Sequence, residues 1–509
     1  MFSQSDLEQI KAHGISVQSA QRQWKVVSEE KSNLEIVKPA LKNDGLFFFE
    51  QSEIDDLLAS YKKNISGKKI VKFVPASGAA TRMFKDLFEI WNKLEENTKY
   101  LISDSVKVFF AHLPYFAFFD ALQKCMEKQG VSLQNAIDNK DYATILEYLL
   151  TEKGLNYAGL PKGLLLFHHY NEQKRTALEE HLIEAAEYAC DEYKTARVHF
   201  TVSQEHTNLF KSHCKEVVSD YENQSGIKYD IAFSTQHAST DTLAFSQDNQ
   251  PFRDKNNNLL FRPGGHGSLI DNLNKIDADI VLIKNIDNVT LDQYKKDTFV
   301  YKKVLVSFLV RLQQQIFKYL KSFDNQENEK YLISKVEIFL KNNFFIHLPE
   351  FYQKLSSSEK QKFLYDLLNR PIRVCGMVKR ENEPGGGPFW VKTSNNDLSL
   401  QIVETSEMDL SDPRQNEILN KSEFFNPVDL VCSLKNHRGE KFDLNNFVDH
   451  SRYFVTEKSF EGKVLKAIEN PGLWNGAMSN WLTIFVAAPL STFTPVKTVN
   501  DLLRKEHTN

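Results

Sequence analysis

Between Lys69 and Ile283, short apolar runs alternate with segments of helical period. That alternation restricts the chain to a sheet whose two faces are covered by helices. Lys69 to Val74 (KIVKFV) is the first β-rich run. It enters Pro75-Ala76-Ser77-Gly78-Ala79-Ala80-Thr81-Arg82, and then Met83, Leu87 and Ile90 fall on one helical face. Further strands are expected at Leu164 to Phe167, Val198 to Val202, Ile231 to Ser234 and Ile280 to Ile283. Helices are expected at Thr176 to Cys190, Glu205 to Val218 and Ser268 to Lys275. The fold class is therefore α/β with a mostly parallel sheet. A helical insertion is expected over about 95–157, where Phe116, Phe119 and Met126 fall near one stripe and Ile145 and Leu149 lie on a second helix. An amphipathic helix follows at 304–320, then a polar loop at 321–328 (KSFDNQEN). Strands return after Ile372 as a C-terminal mixed sheet. The expected organisation is a helical and irregular segment at 1–66, a core at 67–370 and a sheet region at 371–509.

Composition narrows the function classes. Lys plus Arg is 63 and Asp plus Glu 67, a net charge of −4. That balance argues against nucleic-acid binding by bulk charge. The five cysteines form no CxxC pair, which fits a reducing compartment. The polar start, MFSQSDLEQIKAHG, lacks the pattern of a signal peptide. The most apolar run near the end, Trp481 to Leu490, is ten residues, whereas a membrane helix needs about twenty. A cytoplasmic protein without a membrane or nucleic-acid partner is expected. His168-His169 and the pair His206 and His213 lack a third ligand at metal spacing.

Glycine is scarce, 20 in 509 residues, yet Gly264, Gly265 and Gly267 fall together, as do Gly385, Gly386 and Gly387. Such clusters mark a close approach to backbone or a turn through positive φ, with or without a ligand. The loop from Ser77 through Gly78, Ala79 and Ala80 to Thr81 sits between a strand and a helix. Such a junction turns backbone N–H groups and the helix dipole toward one point, which suits a phosphate. Arg82 adds a fork of donors. The loop meets neither the P-loop nor the GxGxxG pattern.

The loop resembles the signature of sugar nucleotidyltransferases, a small-residue loop ending in Thr-Arg-Met. Later segments resemble UDP-sugar pyrophosphorylases in matching order. Leu160-Pro161-Lys162 resembles their phosphate-binding Pro-Lys. Gln236 and Pro263-Gly264-Gly265-His266-Gly267 resemble the elements that lie against uracil. Asn285-Ile286-Asp287-Asn288 resembles the Asn-x-Asp-Asn whose Asp sits near metal and sugar phosphate. Gln401 to Glu407 resembles the stretch whose first Glu, here Glu404, faces the sugar. Phe425-Asn426 resembles the Phe-Asn that follows, and Thr494 to Leu503 the Pro-Val-Lys-Thr-x-x-Asp-Leu-Leu near the end. The chain as a whole resembles an uncharacterised bacterial family, a domain of unknown function related to these enzymes. Three features depart from the enzyme pattern. The first loop has one glycine, with Ala79 and Ala80 narrowing it. Lys162 is followed by Gly163 rather than proline. A long, largely helical insertion separates Met83 from Pro161.

The resemblance implies a nucleotide-sugar-transferase (GT-A-like) sheet and a Mg2+-dependent transfer of a uridylyl group between UTP and a sugar 1-phosphate. The attacking phosphate is already an anion, so the chemistry needs alignment and charge neutralisation rather than an activated Ser or Cys. The implied roles are Arg82, Lys162 and Lys497 in catalysis and Asp287 at the metal. Ser77, Gly78, Ala79, Ala80, Thr81, Gln236, Gly264, Gly265 and His266 fall to the nucleotide, and Glu404 and Asn426 to the sugar. Each has a plain alternative: Arg82, Lys162 and Lys497 as solvated side chains, Asp287 as a turn or cap residue, Gln236 and His266 as loop residues, Glu404 as a strand residue facing water. Two whole-protein alternatives stand beside the enzyme: a nucleotide binder without turnover, and an interaction module built on the insertion. A glycosyltransferase would usually display Asp-x-Asp, which the Asn-x-Asp-Asn here does not.

Overall fold

A computed structural model describes residues 2–29, 34–78, 80–95, 101–171, 173–326, 329–381, 385–393 and 397–508. The chain forms two compact units, one of residues 1–69, 236–282 and 303–489, the other of 70–235, 283–302 and 490–509. The architecture is mixed α/β.

In the second unit, strands Ile70–Pro75, Thr195–Val202 and Lys228–Thr235 pair in parallel, with Lys72 opposite Val198 and Thr195 opposite Lys228. Val71, Phe73 and Val74 are buried, as a strand covered on both faces requires. Helix Ala177–Tyr188 starts in a capping box of Thr176 and Glu179, and helix Thr207–Ser225 stops at Gly226 in the left-handed conformation. The insertion is helical: Asp104–Ala111, Phe119–Glu127, Leu133–Asp138 and Tyr142–Leu150. Its aromatic core joins Phe109 to Phe116, Phe116 to Phe118 and Phe118 to Tyr157, with ring centroids 5.0–5.3 Å apart.

In the first unit, strands run in the order Leu41–Lys42, Gly45–Phe47, Leu482–Ala487, Ile372–Lys379, Phe424–Ser433. Ile372–Lys379 is parallel to Leu482–Ala487 and antiparallel to Phe424–Ser433. The sheet is therefore mixed, although Leu41–Lys42, Gly45–Phe47, Leu482–Ala487 and Ile372–Lys379 all pair in parallel and Phe424–Ser433 alone of these strands runs antiparallel to its printed neighbour. Two smaller antiparallel sheets accompany it. One pairs Ile36–Pro39, Gly387–Lys392 and Leu398–Val403; the other pairs Phe261–Arg262, Thr242–Phe245, Lys463–Glu469 and Phe454–Phe460. Helices Gln4–Ala12 and Val17–Ser28 lay Ile10, Ala20 and Val27 on this last sheet, against Leu243, Phe245 and Ile468.

Two local expectations are corrected. Residues 1–66 contain strands as well as helices, because Ile36–Pro39 finds its partner in Gly387–Lys392, far along the chain. Residues 321–324 are not loop but the last turn of helix Lys296–Asp324, since Leu320 and Phe323 are buried there while Lys321 and Asp324 face water. Residues 327 and 328 of that stretch lie outside the described residues, as does Glu383 beside the second glycine cluster. Among the described residues no helix is long and apolar enough to cross a membrane, and all five cysteines are free.

Candidate functional site

The second unit brings together three residues from distant segments. Lys162 stands at the start of a short 3-10 turn, Lys162–Leu164, entered from an extended Pro161. Asp287 follows strand Ile280–Lys284, and Lys497 lies in the C-terminal segment. Lys162 Nζ donates to Asp287 Oδ2 at 2.8 Å and to the Val496 carbonyl at 2.8 Å. Lys497 Nζ donates to the same Oδ2 at 3.3 Å. The backbone fixes this meeting: Val496 N–H donates to the Asp287 carbonyl, and Thr494 N–H to Asn288 Oδ1. Asp287 and Lys162 side chains are only 11% and 12% exposed, Lys497 57%. Burial alone would raise the Asp287 carboxyl pKa; Lys162, then Lys497, outweigh it and hold the group below the usual carboxylate range. The carboxylate thus serves two ammonium groups. Two lysines on one aspartate leave a net positive centre, which suits a phosphate oxygen.

Gly163 accounts for the departure from Pro-Lys-Pro. A Cβ there would lie 2.8 Å from Phe210 Cζ and 3.3 Å from Ile286 Cδ1. The turn bearing Lys162 therefore packs tightly on Phe210 and closely on Ile286, the residue before Asp287.

The loop after Ile70–Pro75 is less open to an anion than the sequence implies. Ala76 N–H donates to the Thr201 carbonyl at 2.8 Å, and Ala80 N–H to the Leu160 carbonyl at 3.2 Å. Ala80–Arg82 forms a 3-10 turn, and the α-helix begins only at Lys85. The dipole end of that helix is therefore displaced from Ser77 and Gly78. Thr81 and Arg82 are exposed, and Ala79 lies outside the described residues.

The first unit gathers a second set. Gln236 Nε2 donates to the Gly265 carbonyl at 3.3 Å. His266 stacks on Trp474 with centroids 4.3 Å apart, and its Nδ1 accepts from Leu473 N–H at 3.1 Å. In the neutral ring the proton therefore sits on Nε2, which lies 3.6 Å from Glu404 Oε1. Burial would raise the Glu404 carboxyl pKa, and the neighbouring His266 draws it below the usual range. Behind this pair, Arg452 grips Glu407 through Nε at 2.8 Å and Nη2 at 2.9 Å, and Asn475 Nδ2 adds a third bond to Glu407 at 3.0 Å. Asn426 has other partners. Its Nδ2 donates to the Gly376 carbonyl and its Oδ1 accepts from Val428 N–H, whose φ of +60° needs that support.

A family model described as a domain of unknown function, DUF4301, matches residues 3–508. The chain belongs to the DUF4301 family. No curated protein matches this DUF4301 chain. Among solved structures it is similar to a UDP-glucose pyrophosphorylase from Leishmania major, with 14% identity and a TM-score of 0.46 over 98% of this chain and 78% of the other. It is also similar to a UDP-N-acetylglucosamine pyrophosphorylase from Trypanosoma brucei, with 12% identity and a TM-score of 0.48 over 97% and 76% of the two chains.

A metal is the remaining element of the expected site in this DUF4301 chain. Among the described residues no group of three or more His, Cys, Asp or Glu side chains is arranged to hold an ion. Asp287 offers a single carboxylate. That donor set does not suit a protein-only cage, but it fits Mg2+, which is commonly bound through one or two carboxylates with phosphate oxygens completing the shell.

Sequence reasoning missed a buried layer beneath Asp287. Glu179, Glu180 and His181 read as a solvated helix face or a border of the site; all three are buried. Glu184 binds Lys72 Nζ at 2.8 Å and Lys284 Nζ at 2.7 Å, and accepts from Tyr188 OH at 2.6 Å. His168, also buried, donates through Nδ1 to Glu180 at 2.8 Å and meets His507 Nδ1 at 2.9 Å. The available signal was a lysine inside each of two otherwise apolar strands, Lys72 and Lys284, matched by acids on one helix.

Proposed function

We propose that the protein is a nucleotidyltransferase joining a uridylyl group from UTP to a sugar 1-phosphate, with Mg2+ bound through Asp287. The observation that carries this reading is the convergence of Lys162, Asp287 and Lys497, three residues that the order of motifs singles out before any geometry is known. In the reaction an oxygen of the sugar phosphate attacks the α-phosphorus, and the bond from that phosphorus to the oxygen bridging to the β-phosphate breaks as pyrophosphate leaves. No general base is required. Lys162 and Lys497 neutralise and align the phosphates, and Arg82, exposed beside the first loop, reaches outer oxygens. Bound Mg2+ supplies Lewis-acid stabilisation of the phosphoryl charge. In this reading Ser77, Gly78, Ala79, Ala80 and Thr81 are the nucleotide-binding residues of the first loop. Gln236 and the Gly264-Gly265-His266 segment take the uracil, and Glu404 and Asn426 the sugar hydroxyls. The GT-A-like assignment of the sheet belongs to the same proposal.

One observation favours a second reading, nucleotide binding without turnover: Ala76 and Ala80 have already spent their N–H groups inside the protein. Thermal unfolding with Mg2+ against UTP, CTP, ATP, GTP and UDP-sugars, followed by pyrophosphate release over a panel of sugar 1-phosphates, separates the two. A uridine-selective shift with release supports the enzyme. The shift without release supports the binder. The absence of any shift refutes both, since a ligand at one hundred times its Kd stabilises by about 2.7 kcal/mol.

A further inference from the structure

The residue between Asn285 and Asp287 ties all three phosphate-side segments together. Ile286 N–H donates to the carbonyl of Pro75, where the first loop begins, at 3.3 Å. Its Cδ1 packs into the space left by the missing side chain of Gly163, next to Lys162. Its carbonyl accepts from His181 Nε2 at 3.2 Å, and its own C-terminal neighbour is Asp287. A carbonyl can only accept, so His181 Nε2 carries the proton; Nδ1 is then a bare acceptor, and it is buried with no hydrogen-bond partner among the described residues. A buried, half-satisfied imidazole is costly, and its position calls for a reason.

We propose that His181 is a positioning residue for the phosphate-binding centre: its Nε2–H holds the Ile286 carbonyl, and through that one residue sets the first loop, the Lys162 turn and Asp287 in register. The proposal rests on the nucleotidyltransferase reading for what the centre binds, but not for what His181 holds. The groups facing His181 keep it neutral. Burial is the main cause, and the Lys72 ammonium, which donates to the His181 carbonyl at 3.0 Å, is the next. Glu184 opposes this, while Lys284 adds to it. Lys72 and Lys284 both bind Glu184, and Lys72 also fixes the His181 backbone through its carbonyl.

The test compares the full-length protein with H181Q, H181N and H181L. Glutamine can place an amide N–H where Nε2 sits; asparagine is too short and leucine has no donor. Two quantities are read: hydrogen exchange over 285–289 and at Val496, and the affinity for inorganic pyrophosphate by calorimetry. Circular dichroism establishes that each variant is folded. H181Q is expected to match the native protein. H181N and H181L are expected to exchange about tenfold faster over 285–289 and to bind pyrophosphate about tenfold more weakly, the loss of one hydrogen bond. If H181L does not fold, H181N carries the comparison. Native-like exchange in a folded H181N or H181L overturns the proposal, as does an H181Q as impaired as H181L. If the native protein itself fails to bind pyrophosphate, the function proposed above fails, and the exchange measurement still decides the role of His181.

Discussion

Replacing Asp287 by asparagine removes the one negative charge that Lys162 and Lys497 share, and the consequences for folding and binding run in opposite directions. Taking one partner from a buried ion pair costs about 3–5 kcal/mol. Lys162 retains its bond to the Val496 carbonyl, and Lys497, 57% exposed, contributes no more than a surface pair. The lower end, about 3 kcal/mol, is therefore expected. For a cooperative body of roughly 200 residues, the size of the second unit, this lowers the melting midpoint by about 6–12 °C. Anion binding without metal should improve. The centre passes from one net positive charge to two, and removing a repelling carboxylate about 8 Å from a phosphate at an effective dielectric of 20–40 gains about 1–2 kcal/mol. Pyrophosphate affinity in EDTA then rises roughly five- to thirtyfold. The advantage should vanish with Mg2+ present, because the variant has lost its metal carboxylate. Scanning calorimetry and titration of D287N against the native protein, each with and without Mg2+, measure all three quantities. A D287N that melts within about 2 °C of the native protein would refute the coupling. A D287N that binds pyrophosphate no better in EDTA would refute the charge argument.

Two further outcomes follow from the same centre. Gly163→Ala places a Cβ 2.8 Å from the Phe210 ring, so it should cost about 1–3 kcal/mol by overpacking and weaken pyrophosphate binding by moving the Lys162 turn; unchanged melting and affinity would show that the contact is slack. The folded carboxyl of Asp287 titrates below its unfolded value of about 3.9, so its stabilisation is fully present above that pH and is lost as pH falls through the folded pKa; the midpoint of D287N should fall less steeply than that of the native protein below about pH 4, and parallel curves would contradict the assigned pairing.

Strands Ile70–Pro75, Thr195–Val202 and Lys228–Thr235 were legible because each carries an apolar run between helical periods, whereas Lys174–Thr176, three polar residues, was not. Ile36–Pro39 was not: four residues, one of them proline, have no period of their own, and their strand character comes from pairing with Phe389, Trp390 and Val391. The turn 321–324 misled because its polarity is that of a helix face in water, with Phe323 alone turned inward. At the site, the types and order of Lys162, Asp287 and Lys497 were readable, but their separations of 125 and 210 residues carry no geometric signal. The layer beneath was misread for a related reason. Glu180 and Glu184 look solvated until Lys72, Lys284 and Lys295 arrive from other elements to neutralise them. Polarity in sequence indicates that a group needs a partner, not whether that partner is water.

The glycines sharpen the same point. Gly264, Gly265 and Gly267 looked like room made for a ligand. A Cβ at Gly264 would meet Asn470 Nδ2 at 2.4 Å, and one at Gly267 the Pro471 carbonyl at 2.2 Å, so both glycines admit the chain's own backbone and side chains. Gly163 likewise admits Phe210 and Ile286. In each case the glycine draws a second segment close, and the residue beside it becomes the presented group: Lys162 in one unit, and in the other His266, fixed by Leu473 and Trp474. The scarcity of glycine in this chain then has a reading different from the one its clustering first invites. On the proposed function, recognition falls to the neighbouring side chains, and the glycines set how accurately those side chains are held.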